Sequence, residues 1–562
     1  MDTAKLDRAL DVLEQNKERW LDLSVGGRIA LVKKMIQGIA KVSNRMVAKA
    51  QEMKKISPNT PSAAEDMLSG PVVIVRNLRL LLETLEQIEK HKVPQLPSDK
   101  VRTRDNGQVV VEVLPSRFMD NLLYNGFKAE VWMQDGVTPA NLSENMAEIY
   151  QKRPESGKIA LVLGAGNVSS IGPLDVVYKL FVEGQVCVLK LNPVNEYTGP
   201  FIEEAFRCLV DEGFLQMAYG GADVGSYLCQ HDKVDEIHIT GSDKTHDIIV
   251  YGPGEEGAER KRNNEPRLTK RITSELGNVS PVIIVPGPWT TSDLQFHAEN
   301  IATQMTNNAG FNCNATKVLI THDNWDQRES LLAALRQTLR ELPPRNAYYP
   351  GATDRYSSFV EASDKAEVLG SKNAPGEVVP WTLVPGIDSS DADSKFFNEE
   401  SFCAITGETS LAADNAGDFL AKAVDFCNET LHGTLNACII IHPSTAEQLG
   451  GKLEQAIADL RYGSVAINHW PALSYAMGVT TWGAYPGHTL EDIQSGIGVV
   501  HNTWMFEKPE KSVVYGPFNV WPRPPWFVTH KRAHKVASWL FEVERTGSYM
   551  FLPPLVLNAA RG

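Results

Sequence analysis

The first part of the chain carries apolar residues at helical spacing. Leu6, Leu10 and Leu13 recur every three or four positions, which is the period of an amphipathic helix. Ser24 precedes a second apolar run and has the side-chain chemistry of a helix N-cap. We therefore predict that residues 2–92 are mainly helical.

The pattern then changes to short runs typical of strands. Residues 109–114 and 127–133 are rich in β-branched and aromatic side chains with polar residues between them, a composition that favours extended chain. The two runs are close in sequence and can pair with each other. They predict a β-ribbon arm at about residues 105–135.

From residue 158 onwards, short apolar runs alternate with segments of helical length. Four of these runs read IALVL, CVLKL, EIHIT and PVIIV. Such alternation is typical of βαβ units and a parallel sheet. A second stretch of the same kind covers about residues 290–470. The pattern predicts an α/β fold that contains a Rossmann-type domain.

Two stretches lack a clear period. Residues 252–266 are rich in glycine and charge, which favours a solvated loop. The tail after Pro517 is rich in Trp, Pro and Phe, and we expect no helix there. Two interpretations of the tail stay open, namely a packed terminal arm and a lid over a substrate channel.

Length and charge narrow the possible classes of protein. A chain of 562 residues exceeds one compact core, so two or three domains are expected. A formal net charge of −14 argues against a nucleic-acid partner, because no basic surplus neutralises phosphates. No apolar run reaches the length of a membrane span and the start resembles no secretory signal, which favours a cytoplasmic protein without a membrane span.

The cysteines point to free thiols. The seven cysteines are scattered, without a CxxC pair or zinc spacing, so we predict a reducing compartment and no metal site. A free cysteine is by default a small buried packing residue. A catalytic role for any one of them therefore needs support from its neighbours.

A glycine-containing turn follows the IALVL run. Gly164 and Gly166 resemble part of a dinucleotide fingerprint, but Ser169 stands where the third glycine is usual. The next strand carries Lys190 near its end, where an acidic residue often binds the ribose. A lysine at this place can donate to ribose hydroxyls or meet a 2′-phosphate.

Four further segments combine turn chemistry with reactive side chains. Gly241 and Ser242 follow an apolar strand, as suits a turn that faces a pyrophosphate. Glu275 precedes Gly277 and another strand, and Cys313 lies between an Asn- and Gly-containing turn and a further strand. The fourth segment, NEESFCAIT, places Glu400 two residues before Phe402.

In this order, these segments resemble the aldehyde dehydrogenase superfamily, of which the chain is identified as a divergent member. The resemblance covers most of the chain, from the leading helices to the run GSVAIN at 463–468. The ordered residues that carry it are Asn167, Lys190, Gly241, Ser242, Glu275, Cys313 and Glu400.

The resemblance implies a chemistry for each matching residue. Cys313 is the expected nucleophile, which attacks an aldehyde to give a thiohemiacetal and, after hydride transfer, a thioester. Asn167 and the Cys313 backbone N–H form the oxyanion hole, and Glu275 activates the hydrolytic water.

It also implies a cofactor, which is NAD or NADP. Lys190 and Glu400 are expected to bind the two riboses, Gly241 and Ser242 the pyrophosphate, and Phe402 to pack near the nicotinamide. Glu399, next to Glu400, is an alternative carboxylate.

The resemblance further implies three domains. These are a cofactor domain with the leading helices and the arm (1–277), a catalytic domain (278–480), and a return to the cofactor domain with oligomerisation strands and a C-terminal extension (481–562). Exposed strand edges on the arm would pair between subunits. We therefore expect a homodimer or homotetramer.

Several positions depart from the family pattern. Pro193 replaces a glutamate three residues after the cofactor lysine, although Glu196 lies close by. His246 and Asn278 stand at usual glycines, and Phe311 replaces a frequent glutamine.

Three more departures lie elsewhere along the chain. Cys403–Ala404 stand where Gly-Pro is usual. Val176 replaces a lysine of the helix after Asn167, with Lys179 offset by nearly one turn. Transfer of a substrate from better-known branches is therefore not justified.

Three functions fit the sequence. The preferred one is hydrolytic oxidation of an aldehyde to a carboxylic acid. A CoA-acylating aldehyde dehydrogenase or acyl-CoA reductase would use the same cysteine, but such branches often lack the base that Glu275 supplies. A non-catalytic structural relative is the third, and the complete set of Cys313, Glu275 and Asn167 argues against it.

We predict that the enzyme accepts NADP⁺, because Pro193 removes a carboxylate that would repel a 2′-phosphate and Lys190 keeps a positive charge. Lys190→Ala should weaken binding of the dinucleotide, measured as its Kd by fluorescence titration with NAD⁺ and NADP⁺. Strict use of NAD⁺ with no response to this substitution would instead assign the ribose to another residue, such as Glu196.

Overall fold

The computed structural model describes residues 2–371 and 377–562. Its helices are α1 Thr3–Asp22, α2 Val25–Met53, α3 Ala64–Met67, α4 Val73–His91, α5 Phe118–Leu123, α6 Glu148–Gln151, α7 Ile171–Phe181, α8 Gly199–Ala205, α9 Arg207–Asp211, α10 Ala222–Gln230, α11 Asp243–Tyr251, α12 Gly254–Arg262, α13 Thr291–Thr306, α14 Arg328–Glu341, α15 Ala352–Glu361, α16 Lys395–Asn398, α17 Ala416–Glu429, α18 Pro443–Leu449, α19 Gly451–Asp459, α20 Ala472–Met477, α21 Ala533–Thr546 and α22 Leu552–Ala559. Its strands are β1 Val101–Thr103, β2 Val109–Leu114, β3 Lys128–Met133, β4 Ile159–Leu163, β5 Val186–Lys190, β6 Leu215–Ala218, β7 Glu236–Thr240, β8 Arg271–Glu275, β9 Pro281–Ile284, β10 Val318–His322, β11 Glu367–Val368, β12 Thr382–Ile387, β13 Ile405–Leu411, β14 Asn436–Ile440, β15 Ser464–Ile467, β16 Thr481–Gly483, β17 Val499–His501 and β18 Pro509–Tyr515.

The leading segment is helical, as the apolar period predicted. In α1, the side chains of Leu6, Leu10 and Leu13 are buried on one face. The hydroxyl of Ser24 accepts a hydrogen bond from the Gly27 N–H at 3.1 Å and so caps α2, which satisfies one of the free donors of the first turn. These helices pack against the smaller of the two main sheets.

That smaller sheet is parallel and has the strand order β6-β5-β4-β7-β8. Strands β5 and β7, on either side of β4, are buried along their whole length, as helices on both faces require. The register pairs Leu163 with Lys190, and Thr240 with Glu275. Because parallel strands end at a common edge, Lys190 and Glu275 belong to the same edge of the sheet.

The larger sheet has eleven strands in the order β1-β2-β3-β18-β15-β14-β9-β10-β13-β12-β11. Its central strands, from β18 to β12, run parallel. Among these parallel strands, β9 comes first along the chain, and it begins six residues after the end of β8, the last strand of the smaller sheet. The fold is therefore α/β with two main sheets and a small two-stranded sheet of β16 and β17, and the predicted fold class is confirmed.

The predicted arm is present as a ribbon of β2 and β3, with β1 on its outer side. Its inner strand, β3, pairs with β18, and the other edge of β18 pairs with β15 of the same chain. The arm is thus joined to the larger sheet within the chain, and β1 and β11 are the end strands of that sheet. The homodimer or homotetramer stays a prediction.

The prediction of a loop at residues 252–266 is wrong, because α12 spans Gly254–Arg262. Glu255 and Glu256 lie in its first turn, and its last turn carries only basic side chains. This distribution complements the helix dipole. Glu256 also pairs with Arg260 one turn later, which adds local support.

The expectation of a tail without helices is also wrong. Helices α21 and α22 follow Pro517, and α21 packs on α3 and α4. Its anchor is Glu544, a fully buried carboxylate whose oxygens accept hydrogen bonds from Arg76 at 2.9 Å and from Arg79 at 3.1 Å. Arg76 also pairs with buried Asp120 at 3.2 Å. The tail is therefore tied to the body of the protein through buried charges.

The described residues contain no helix that is both long and apolar enough to cross a membrane.

Because the substitution leaves the buried Arg76 and the half-buried Arg79 without this carboxylate, Glu544→Ala should lower the free energy of unfolding by about 3–5 kcal/mol. Glu542→Ala is the matched control, since Glu542 lies on the same helix and pairs with Arg545 at the surface. It should cost at most about 1 kcal/mol. Urea unfolding of both variants checks the difference, and equal losses would contradict the anchoring role of Glu544.

Candidate active site

A large cavity lies over the edge of the smaller sheet where its strands end. Its volume is about 1160 Å³. We call it the sheet-edge cavity, and its lining includes Lys190, Gly241, Ser242, Glu275, Cys313, Glu400 and Phe402. Asn167 lines it as well. The structure thus brings together the residues that the sequence singled out.

One wall of this cavity is the start of α11. The Ser242 hydroxyl accepts a hydrogen bond from the Thr245 N–H at 3.2 Å and caps the helix. The Gly241 N–H donates to the Glu275 carbonyl at 3.0 Å, which continues the β7–β8 ladder. Both residues are exposed to the cavity side. A capped helix start in a cavity wall is chemically suited to an anion such as a pyrophosphate.

Lys190 is the cation at the end of β5. Its side chain is buried, and this burial lowers its pKa, although the charge of Glu196 opposes the effect. Glu196 itself accepts a hydrogen bond from the Gly220 N–H at 2.5 Å. Lys190 therefore faces the cavity while the alternative residue, Glu196, is held by backbone.

At the opposite end of the cavity, Glu400 and Glu399 differ sharply. Glu399 is exposed and lies 3.6 Å from Lys395. Glu400 is partly buried, and its Oε1 has no hydrogen-bond partner within the part of the chain that the structure describes. Burial raises the pKa of Glu400 to about 7, against the opposing charge of Lys317. An unsatisfied carboxylate oxygen in a cavity suits a ligand hydroxyl, and this favours Glu400 over Glu399.

Phe402 completes this end of the cavity. Its φ of 40° lies in the left-handed region, which is costly for a bulky residue. The ring contacts Tyr349 and Phe311, with centroid distances of 4.9 and 6.0 Å. Phe311, at the position of a frequent glutamine, is thus a member of an aromatic cluster that fixes Phe402.

Cys313 follows a tight left-handed turn. Helix α13 ends at Thr306, and Asn308, Ala309 and Gly310 have φ values of 53°, 57° and 82°. At Gly310 a Cβ atom would lie 2.5 Å from the backbone nitrogen of Ala404. Only glycine allows this approach, and the turn then directs the chain towards Cys313.

The backbone at Cys313 is held by two side chains. Its carbonyl oxygen accepts hydrogen bonds from the Ser280 hydroxyl at 3.1 Å and the Asn436 amide at 3.2 Å. Asn278 in turn donates to Ser280 Oγ at 3.0 Å and to the Asn436 carbonyl at 2.9 Å. Its φ is not positive, so the departure from glycine at Asn278 costs no backbone strain.

His246, the other replaced glycine, is explained in the same way. It is the fourth residue of α11, and its N–H donates to the Ser242 carbonyl at 3.0 Å. A helical position has negative φ, so no glycine is required.

Glu275 and Cys313 influence each other strongly. Burial raises the pKa of Glu275 to about 7. The Trp482 indole and the Cys313 thiol are near enough to oppose this rise, yet neither carboxylate oxygen has a hydrogen-bond partner among residues 2–371 and 377–562. Burial, followed by the charge of Glu275, raises the pKa of Cys313 well above its usual value. An unsatisfied carboxylate beside a partly accessible thiol is typical of a reactive centre.

Asn167 lies on the other side of this centre. Its amide nitrogen donates to the Phe311 carbonyl at 3.0 Å. An amide nitrogen has two N–H groups, so one remains for a developing oxyanion. The backbone carbonyl of Asn167 accepts hydrogen bonds from the Tyr348 hydroxyl and the Asn308 side-chain amide, both at 3.1 Å.

Asn308 is the residue that sequence reasoning missed most clearly. Its amide donates to the carbonyls of Asn167 and Phe311 at 3.1 and 3.2 Å, and its Oδ1 accepts from Lys54 at 3.1 Å and Tyr348 at 3.0 Å. The side chain thereby joins the leading helices to both loops of the centre. The signal in the sequence was only the asparagine-rich run before Cys313.

A second cavity meets the first at Cys313. Its volume is about 820 Å³. We call it the tail cavity, because residues 520–528 line it together with parts of α21 and α22. Cys313, Asn167 and Ile171 line both cavities. The thiol therefore lies where a cofactor-sized space and a substrate-sized space join.

Comparison with known proteins agrees with the resemblance found in the sequence. The sequence model of the aldehyde dehydrogenase family matches residues 119–483 of this chain. D-glyceraldehyde dehydrogenase (NADP(+)) of Thermoplasma acidophilum is 24% identical over 329 residues, which cover 56% of this chain and 61% of that protein. Aminoacetaldehyde dehydrogenase of Pseudomonas aeruginosa is 25% identical over 265 residues, or 44% and 46% of the two chains. The chain thus spans about half of the length of these relatives.

Solved structures extend the likeness to nearly the whole chain. Glyceraldehyde-3-phosphate dehydrogenase of Methanocaldococcus jannaschii, complexed with NADP, superposes with a TM-score of 0.60 at 14% identity and covers 92% of this chain and 95% of that one. The NADP-dependent glyceraldehyde-3-phosphate dehydrogenase of Bacillus halodurans gives 0.59 at 14% identity, with 91% of each chain covered. At this identity the likeness shows the fold.

We predict that Cys313→Ala abolishes aldehyde oxidation and leaves the Kd for the dinucleotide within about twofold, because the thiol takes part only in the covalent step. Cys403→Ala is the matched control. Cys403 is fully buried and would be the next candidate for the nucleophile if Cys313 were not it. Turnover by the first variant, or its loss in the second alone, would transfer the assignment to Cys403.

Proposed function

The chain belongs to the aldehyde dehydrogenase family, and we propose that it oxidises an aldehyde to a carboxylic acid with NAD or NADP through a covalent intermediate on Cys313. The observation that carries the proposal is the unsatisfied, buried Glu275 carboxylate beside Cys313, at the junction of the two cavities.

The first step is attack on the aldehyde carbonyl by Cys313. The raised pKa means that the resting thiol is protonated, so its proton is released to solvent through the adjoining cavities before or during attack. Sulfur then bonds to the carbonyl carbon and the carbonyl oxygen becomes an alkoxide. The free N–H of Asn167 and the backbone N–H of Cys313 are the donors proposed for this oxygen, where preorganised donors have their largest effect.

The sheet-edge cavity has the donor set that a dinucleotide requires. The N-terminus of α11, in the cavity wall, is suited to bind the pyrophosphate. Lys190 and the unpartnered Oε1 of Glu400 are suited to bind the ribose hydroxyls. A nicotinamide dinucleotide held in this cavity would supply the hydride acceptor. Phe402 would form the wall beside its nicotinamide. Loss of hydride converts the thiohemiacetal on Cys313 into a thioester.

Glu275 acts in the last step. As a carboxylate it removes a proton from water, which attacks the thioester carbon and releases the acid and the Cys313 thiol. A positioned base of this kind contributes about 10²–10⁴-fold. With a pKa of about 7, Glu275 is matched to this role at neutral pH.

Either cofactor fits the proposal. The Thermoplasma acidophilum relative is named for NADP(+), and here Pro193 leaves no carboxylate three residues after Lys190. Arg267 and Lys270 also line the sheet-edge cavity and add positive charge to its wall. These features favour acceptance of a 2′-phosphate. A cytoplasmic homodimer or homotetramer remains a prediction for the whole protein.

The CoA-acylating alternative uses the same thioester but transfers the acyl group to a thiol. It gives Glu275 no role as a base. The unsatisfied oxygens of Glu275 beside Cys313 therefore support hydrolysis, and also argue against a non-catalytic relative.

Glu275→Gln should give a burst of reduced cofactor close to one per active site, followed by slow turnover, because the thioester accumulates. Removal of the negative charge also removes one cause of the high pKa of Cys313, so the attack is not slowed. Stopped-flow absorbance at 340 nm measures both phases. Asp175→Asn serves as a control that alters a nearby buried charge but leaves the proposed base, and it should show no burst.

The pH dependence of wild-type turnover tests the same role of Glu275. Since burial raises the pKa of Glu275 above its usual value, the carboxylate forms only as the pH rises through about 7. Wild-type kcat should therefore increase across that range. CoA should leave the wild-type rate and the free acid product unchanged. Acyl-CoA as the main product would establish the acylating alternative.

A further inference from the structure

The C-terminal extension, residues 519–562, forms the outer wall of the tail cavity. Its side chains in this wall are almost all apolar. Six that represent them are Phe527, Val528, Val536, Leu540, Leu555 and Ala559. Leu68, Val72 and Val73 of the leading segment also line the cavity. Two separate parts of the chain therefore contribute apolar side chains to it.

The cavity leads from the protein surface to the nucleophile. Three large apolar residues of its lining are exposed, namely Trp521, Leu122 and Val556, and Trp521 is 85% exposed. They mark the mouth. At the inner end lie Cys313 and Asn167. A molecule in this cavity can thus place one end at the thiol and the other near the surface.

The three arginines of the lining are already paired with carboxylates, and its one lysine, Lys55, is exposed at the surface. Both terminal nitrogens of Arg345 donate to the Glu65 carboxylate at 2.8 Å. Arg76 pairs with Glu544 and Asp120. Neither guanidinium is free to bind a phosphate or carboxylate of a substrate, because separation from its partner would leave a buried charge uncompensated.

The wall is also fixed in place. Arg523 Nε lies 2.8 Å from Glu299 Oε2, and the Thr529 hydroxyl donates to the same carboxylate at 2.6 Å. The Val528 N–H donates to the Thr303 hydroxyl at 3.1 Å. Both acceptors lie on α13, the helix that leads to Cys313. The extension is thus attached to the element that positions the nucleophile.

We propose that the C-terminal extension makes this protein selective for aldehydes with a large apolar tail, such as a medium or long aliphatic chain, and that the tail cavity binds that chain. This rests on the proposed function, since it assigns the substrate class of the same thiol. A cavity of about 820 Å³ is within the size range of sites that enclose drug-sized ligands, far more than an aldehyde of two or three carbons occupies.

The test is a series of linear aldehydes from propanal to decanal. In the wild type, kcat/KM should rise by about fourfold for each added methylene until the chain fills the cavity, as transfer of a methylene from water to an apolar site predicts. Ala559→Trp and Leu540→Trp place bulk in the cavity. Each should lower kcat/KM for decanal at least tenfold and change that for propanal less than threefold.

Leu557→Trp is the matched control, because Leu557 lies on the same helix as Ala559 and is 51% exposed. It should alter neither substrate. Thermal unfolding of each variant verifies that the fold is kept. A flat or falling series in the wild type, or an equal loss for both aldehydes in folded Trp variants, would overturn the proposal.

Binding without turnover separates this proposal from the proposed function. Calorimetry should show decanoic acid binding to the wild type at least tenfold more tightly than propanoic acid, with the difference lost in Ala559→Trp. If this holds while no aldehyde is oxidised with NAD⁺ or NADP⁺, the proposed function fails and the cavity assignment stands. Oxidation of aldehydes without preference in rate or binding would reject the cavity assignment alone.

Discussion

The position of the Cys313 thiol depends on one buried amide, the side chain of Asn308. It links the leading helices through Lys54 to the loop of Asn167 and to the carbonyl of Phe311. The backbone at Asn308 is left-handed, a conformation that asparagine tolerates better than most residues. The turn therefore needs an asparagine for its geometry as well as for its hydrogen bonds.

The electrostatic character of the centre comes from burial. Burial is the largest cause of the raised pKa of both the Glu275 carboxylate and the Cys313 thiol, because an apolar surrounding disfavours the charged forms. The two carboxylate oxygens of Glu275 also have no hydrogen-bond partner among the residues that the structure describes. Cys313, which is half-buried, lines both cavities beside this carboxylate.

How far the sequence predicts this protein depends on the range of the interaction. Lys190, Ser242 and Glu275 could be placed because each follows an apolar strand, and parallel strands end at one edge. Asn308, Ser280 and Asn436 could not be recognised, since their partners are distant in sequence. No local pattern encodes such contacts. Helix α12, by contrast, is encoded locally. Its glycines favoured the prediction of a loop, although its acidic first turn and basic last turn favour a helix.

The insertion of β18 into the larger sheet has a consequence for the order of assembly during synthesis. Strand β18 is hydrogen-bonded on one side to β3, near the start of the chain, and on the other to β15. Until residues 509–515 have left the ribosome, the arm and the parallel strands are separate pieces, each with an open edge. Open strand edges recruit other chains, and contacts of such long range form late. The edge of β3 therefore stays unpaired from residue 133 until β18 is made, whereas the edge of β15 waits only from residue 467 to residue 509. The arm is thus the part of the nascent chain with the longest exposure to pairing with other chains.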